Sequence, residues 1–139
     1  MAPNAGGLDP YQWDDSLIGA GPAGVQAGKM LGGSRRRVLV IDGESGRSRF
    51  AAHMHGSLGN EGSDPADLLR RGREELSAYD VTLRAGAVQR VENADDGVIA
   101  HLADGESVFG RAVIAATGLT DDLPEIAGLS ELWGTGVLH

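Results

Sequence analysis

The sequence predicts an α/β domain: a parallel sheet of about four strands, helices on at least one face, and a small antiparallel β-meander on the other side. Three observations carry that prediction. The stretch "LIGAGPAGVQAGKML" (17–31) reads as the end of a strand, a glycine turn and a helix. The runs "RVLVID" (37–42) and "RAVIAATG" (111–118) are almost continuously apolar, as expected of parallel strands buried on both faces. Two Asp/Gly turns, "DDG" (95–97) and "DG" (104–105), separate short strand-like segments between them.

Taken in order, residues 1–12 are rich in Gly, Pro and Asn and read as a flexible leader to one domain spanning 13–139. A short strand from Trp13 to Ile18 enters the glycine turn. Pro22 falls at a first helical position, where its missing N–H has no intrahelical partner to lose. The helix is expected over 23–31, although Gly28 and Lys29 weaken it, and Gly32, Gly33 and Ser34 end it. Arg35, Arg36 and Arg37 read as a solvated loop before the 37–42 strand. Residues 43–62 lack periodicity and are expected to form a long ordered loop carrying His53 and His55. "SDPADLLRRGREELSAYD" (63–80) opens with a Ser/Asp-Pro start signal and aligns Leu68, Gly72, Leu76 and Tyr79 on one helical stripe. A strand at 81–83 follows, then meander strands at 87–92, 98–102 and 106–110, the strand at 111–118, and finally a loop with a one-turn helix.

Bulk properties exclude several functions. A length of 139 residues gives one core, not separate cofactor and substrate domains. A net charge of −8 disfavours a nucleic-acid partner, which would call for concentrated positive charge. No apolar stretch approaches the roughly 18 residues of a membrane span, and no export signal opens the chain, so a cytoplasmic location is expected. The chain contains no cysteine, which removes disulfides, thiolate metal sites and dithiol redox chemistry from within it.

The glycine turn carries the most chemical information. Gly19, Gly21 and Gly24 satisfy the spacing G-x-G-x-x-G: the first for a tight turn, the second for backbone approach to a pyrophosphate, the third for close helix–strand packing. Phosphates would lie at the helix N-terminus, where free N–H groups and the dipole favour negative charge. Asp42 ends the next strand about 20 residues on, where a carboxylate accepts the hydroxyls of an adenosine ribose. A carboxylate there disfavours the extra phosphate of NADP, leaving FAD or NAD. The competing readings are a glycine turn without a ligand and an aspartate that merely opens a turn. His53 and His55, two residues apart, have no third ligand of suitable spacing, so no metal site is expected, and an exposed loop pair is the simpler reading.

Together "GAGPAG", "VLVID", "RSRFAAHMHGSLGNEG", "HLADGE" and "AATGLTDDLPEIAGLSELWG" resemble the thioredoxin-reductase-like FAD-dependent pyridine nucleotide–disulfide oxidoreductases over nearly all of 13–139. The resemblance implies a Rossmann-like FAD-binding half-domain from a two-domain flavoenzyme that passes hydride from NADPH to FAD and on to a Cys-x-x-Cys pair. It further implies that Gly19, Gly21, Pro22 and Ala23 cradle the FAD pyrophosphate and Asp42 the adenosine ribose. His55 and Gly56 would lie toward the flavin, the Val88 backbone would meet the adenine, and Thr117 and Gly118 would close over the cofactor. In the family, a chain like this continues past "VLH" into the Cys-x-x-Cys segment, the NADPH domain and a returning segment of the flavin site. Asp15 and Ser16 also stand where the family pattern has apolar residues, so the first strand either frays or Asp15 finds a partner.

Three functions follow as expectations. One is a truncated flavoprotein-like domain that binds FAD or its adenosine half without disulfide reductase activity of its own. Another is a repurposed non-redox catalyst or ligand-binding protein of a biosynthetic pathway, holding a small-molecule substrate in the emptied cleft with His53 or His55 as acid or base. The third is a subunit that completes a flavin site with another chain; in all three, an open edge favours homo-oligomers or a complementing partner.

Overall fold

The structure, a computed structural model, describes residues 12–44, 46–47 and 51–137. Residues 1–11 of the expected leader lie outside them. The elements run β1 (Trp13–Ile18), α1 (Pro22–Gly33), β2 (Val38–Asp42), α2 (Pro65–Leu76) with a 3₁₀ turn at Ser77–Tyr79, and β3 (Thr82–Ala85). They continue with β4 (Val88–Ala94), β5 (Gly97–Leu102), β6 (Ser107–Ala115) and α3 (Leu129–Leu132). Six strands form one sheet in the order β3-β2-β1-β6-β5-β4. The pairs β3–β2, β2–β1 and β1–β6 are parallel, giving the four-stranded parallel core expected, while β4–β5 and β5–β6 are antiparallel.

The two segments expected as separate strands at 106–110 and 111–118 are a single strand, β6. Its first half pairs with β5 from Ser107 to Gly110, and its second half pairs with β1 from Gly110 to Ala115. The shared residue, Gly110, is buried with its Cα against Ser16; a side chain there would meet Ser16 Oγ at 2.7 Å. That close approach explains why a small polar residue occupies a fully buried position of β1.

Parallel strands alternate between two buried faces, and both are filled. On one, Leu17, Val38 and Val40 pack against Val25 of α1, Leu76 of α2 and Val81. On the other, Leu39 and Ile41 of β2 meet Leu102 and Val108 of the meander, flanked by Trp13 and Val88. The meander is thus hydrogen-bonded to the sheet through β6 yet folds over the face opposite the helices. Each fully buried Leu, Ile or Val contributes about 1.5–3 kcal/mol, so the helix-side cluster, with six such residues against four, makes the larger contribution to stability.

Helix α1 lies close to the sheet because glycines repeat every fourth residue along its inner face. At Gly28 a Cβ would sit 3.0 Å from Val40 Cγ2, and at Gly32 it would collide with Val81 and the Tyr79 carbonyl. The glycine that weakens the helix locally is what lets it seat. The inner stripe of α2 is Pro65, Leu69, Gly72 and Leu76: Leu69 takes the core position expected of Leu68, and Tyr79, beyond the helix end and 38% exposed, lies against Gly32 and Gly33 of α1.

β1 does not fray, because Asp15 has a partner. The Arg36 guanidinium grips its carboxylate through both Nε and Nη2, the latter at 3.0 Å, and Asp15 is only 5% exposed. Next to it Asp14 accepts the Arg37 backbone N–H at 2.9 Å, which together with the Arg37 side chain holds the Asp14 carboxyl below its ordinary range. Arg36 and Arg37 are therefore ion-pair partners of β1 and not simply a solvated loop. Among the described residues, no helix is long and apolar enough to cross a membrane.

Candidate functional site

The carboxyl ends of β1, β2 and β6 open onto one cleft of about 1160 Å³. Its position follows from topology. From β1 the chain winds outward through α1, β2, α2 and β3, then returns on the opposite side of β1 as β6; the crevice at such a switch point is where open α/β sheets bind ligands.

Gly19 begins the cleft with φ at +108°, and a Cβ there would collide with the Ala116 carbonyl of the neighbouring strand end. Its N–H donates to the Ile41 carbonyl at 2.8 Å, which ties the turn to β2. Gly24 packs directly on the Gly19 carbonyl and so fixes the helix against the turn. Gly21 is the N-cap of α1, has extended backbone and no side-chain cap, and a Cβ there would meet no protein atom within 4 Å. The space over Gly21 therefore faces the cleft, beside the unpaired first-turn N–H groups of a twelve-residue helix.

Asp42 stands at the end of β2, its Oδ1 accepting the Glu44 N–H at 2.9 Å and its Oδ2 paired with Arg73 Nη2 at 2.7 Å. Arg73 comes from α2 and also donates to the Ala20 carbonyl at 3.2 Å. Across the mouth, Arg47 forms a two-point ion pair with Asp121 at 2.7 and 2.6 Å, joining the loop after β2 to the loop after β6.

Of the residues expected at a dinucleotide site, Gly19, Gly21, Pro22, Ala23, Asp42, Thr117 and Gly118 all line this cleft. Gly24 supports it from behind. His55, Gly56 and Val88 do not line it. His55 Nδ1 and the Gly56 N–H both engage Glu61, at 2.6 and 2.8 Å, and hold that carboxyl below its ordinary value. His53 Nδ1 lies 3.2 Å from the Gly62 carbonyl, so neither histidine faces the cleft. Val88 is half-buried against the meander cluster. Among the described residues, no group of three or more His, Asp or Glu could hold a metal.

Sequence reasoning missed Arg73, Arg70, Glu74 and Arg47, which also line the cleft. Arg73 was readable only as one charge on a charged helix face. What singles it out is the packing of α2 on α1, where a Cβ on Gly72 would sit 3.0 Å from Val25 Cγ1, bringing the next residue over the end of β2.

No family model matches the chain. It is 33% identical over 131 residues to the thioredoxin reductase aclD of Aspergillus oryzae, covering 91% of this chain and 41% of that protein. It is 30% identical over 134 residues to a probable thioredoxin reductase of Arthroderma benhamiae, covering 91% and 33%. Among solved structures, HlmI superposes with a TM-score of 0.87 at 38% identity, over 95% of this chain and 43% of that one. A thioredoxin reductase TrxB from Bacillus anthracis gives 0.82 at 27%, over 88% and 42%. This chain is a thioredoxin-reductase-like domain. It spans about a third to two fifths of the length of the curated relatives it matches, and its α/β fold is that of their Rossmann-like half.

Proposed function

We propose that this thioredoxin-reductase-like domain binds FAD through its ADP half and carries out no dithiol–disulfide exchange with residues of its own. The observation that carries the reading is the convergence on one cleft of the α1 N-terminus at Gly21, the Asp42 carboxylate and the Thr117–Gly118 turn. These are the groups a dinucleotide needs: main-chain donors for two phosphates, an acceptor for ribose hydroxyls, and a small-residue edge that a large ligand can approach. FAD would supply hydride acceptance; the chain's own residues would bind and orient it. The absence of any cysteine removes a thiol acceptor from this chain.

Equilibrium dialysis against FAD tests this. Saturable one-to-one binding is expected, weakened about tenfold in Asp42→Asn, the loss of one charge-assisted hydrogen bond. A wild-type protein that takes up no FAD, or one whose affinity is unchanged in Asp42→Asn, contradicts it.

A second reading, a subunit that completes its site with another chain, draws on β6. Among the described residues no strand pairs with the outer edge of Ala112–Ala115, and Ile114 on that strand is left 38% exposed. An apolar strand with one bare edge is a template for further chain. The third reading, a non-redox catalyst, gains nothing from His53 and His55, which lie outside the cleft.

A further inference from the structure

Of the buried side-chain polar atoms left without a hydrogen bond among the described residues, only Arg73 Nε belongs to a cleft residue. A desolvated donor without a partner is a cost that folds ordinarily avoid, and where one persists it marks a group held in place for another reason. Here Nη2 of the same guanidinium bridges Asp42 Oδ2 at 2.7 Å and the Ala20 carbonyl at 3.2 Å. With the Glu44 N–H on Oδ1, both oxygens of Asp42 are anchored, which fixes the plane of its carboxylate. An ionised carboxylate accepts about four hydrogen bonds, so acceptor capacity remains for a ligand. The carboxylate is 12% exposed, so the room left for a ligand lies on the side that opens to the cleft.

We propose that Arg73 is a positioning residue for nucleotide recognition: it orients the Asp42 carboxylate, so that the remaining lone pairs read the 2′- and 3′-hydroxyls of an adenosine ribose. The inference rests on the adenosine reading of the cleft and extends it to a residue outside the glycine motif. Because Arg73 Nη2 is committed to Asp42 and Ala20, that end of the guanidinium serves the carboxylate.

The test compares ADP with 2′-deoxy-ADP as competitors of FAD, on wild type, Asp42→Asn, Arg73→Met and Arg73→Lys. Wild type is expected to bind 2′-deoxy-ADP about tenfold more weakly than ADP, the cost of one lost charge-assisted hydrogen bond. Arg73→Met is expected to bind both weakly and about equally, as Asp42→Asn does, and Arg73→Lys to restore part of the discrimination. A merely structural role would lower affinity for both nucleotides but leave their ratio unchanged. If Arg73→Met keeps the wild-type ratio while Asp42→Asn loses it, the role of Arg73 is overturned and the adenosine site stands. If wild type binds neither nucleotide, both readings fall. Should Arg73→Met not fold, the ratio in Arg73→Lys decides: a wild-type value overturns the proposal, and an intermediate one supports it.

Discussion

Arg36 is what makes a buried carboxylate tolerable in β1. Asp15 is almost fully enclosed, whereas the Arg36 side chain is 42% exposed, so solvent screens part of the pair. Arg36→Met should destabilise the fold by about 2 kcal/mol in urea titrations, below the 3–5 kcal/mol of a wholly buried pair. Asp15→Val combined with Arg36→Met should recover most of that loss, because an apolar pair of similar volume removes the desolvation cost. Exposed carboxylates give a different signature. Glu61 is depressed by His55 and the Gly56 N–H, and Glu92 by Arg90 and then His101, each from an ordinary value of 4.5. A depressed carboxylate adds stability that is complete above its unfolded value and is lost as pH falls through the folded one. The thermal midpoint should therefore fall as pH drops below about 4.5, and Glu61→Gln should shrink that fall; an acid limb unchanged in the variant would contradict the assignment. At this scale, the need of Asp15 for a partner was readable from a charge inside an apolar strand. That the partner would be Arg36 was not, because a run of three arginines reads the same whether it is solvated or paired. Arg73 was invisible for a similar reason, since tertiary packing alone distinguishes it from its charged neighbours on α2.

Helix α1 separates two roles for glycine within one element. Gly32 is an obligate close contact, so Gly32→Ala should cost about 1–3 kcal/mol despite alanine's better helix propensity. Gly21 borders open space at ordinary φ, so Gly21→Ala should change stability by less than about 1 kcal/mol while weakening FAD binding, because the new methyl occupies the space for phosphate. Urea unfolding and FAD titration on the two variants check this; equal effects on both measurements would argue that Gly21 is only structural. The existence and order of the elements were legible because apolar runs, glycine turns and Asp/Gly hairpins each leave a local mark. β6 was not legible as one strand. Its halves serve different partners, and Arg111, beside the pivot at Gly110, looks like a break in an apolar run although the backbone runs straight through. On α2 the expected Gly72 and Leu76 do face the core, but Leu69 replaces Leu68, because adjacent leucines do not fix the rotation of a short helix; the glycine contact between α2 and α1 does.

For the whole molecule, the parallel core is closed on both faces at β2 but open at β6. A protein with such an edge should self-associate, and Ile114→Lys should oppose this by placing a charge on that strand. Sedimentation velocity is expected to show wild-type oligomers and a monomeric Ile114→Lys; a monomeric wild type would count against the subunit reading. The cleft at the switch point was legible as a glycine motif and a strand-end aspartate about 20 residues apart, since both ends of the motif are local in sequence. The contribution of Thr117 and Gly118 came from resemblance, and the Arg47–Asp121 pair across the mouth joins loops that sequence alone does not bring together. On the proposed reading, the main-chain donors after β1 and the carboxylate after β2 form one adenosine-diphosphate site. An ADP titration followed by backbone amide NMR tests it most directly. Saturable shifts are expected, centred on Gly21, Ala23, Gly24, Gly43, Glu44 and Gly118, with their loss in Asp42→Asn at the same ADP concentration. Shifts confined to residues outside the cleft, or none at millimolar ADP, a concentration well above that of a working nucleotide site, would contradict it.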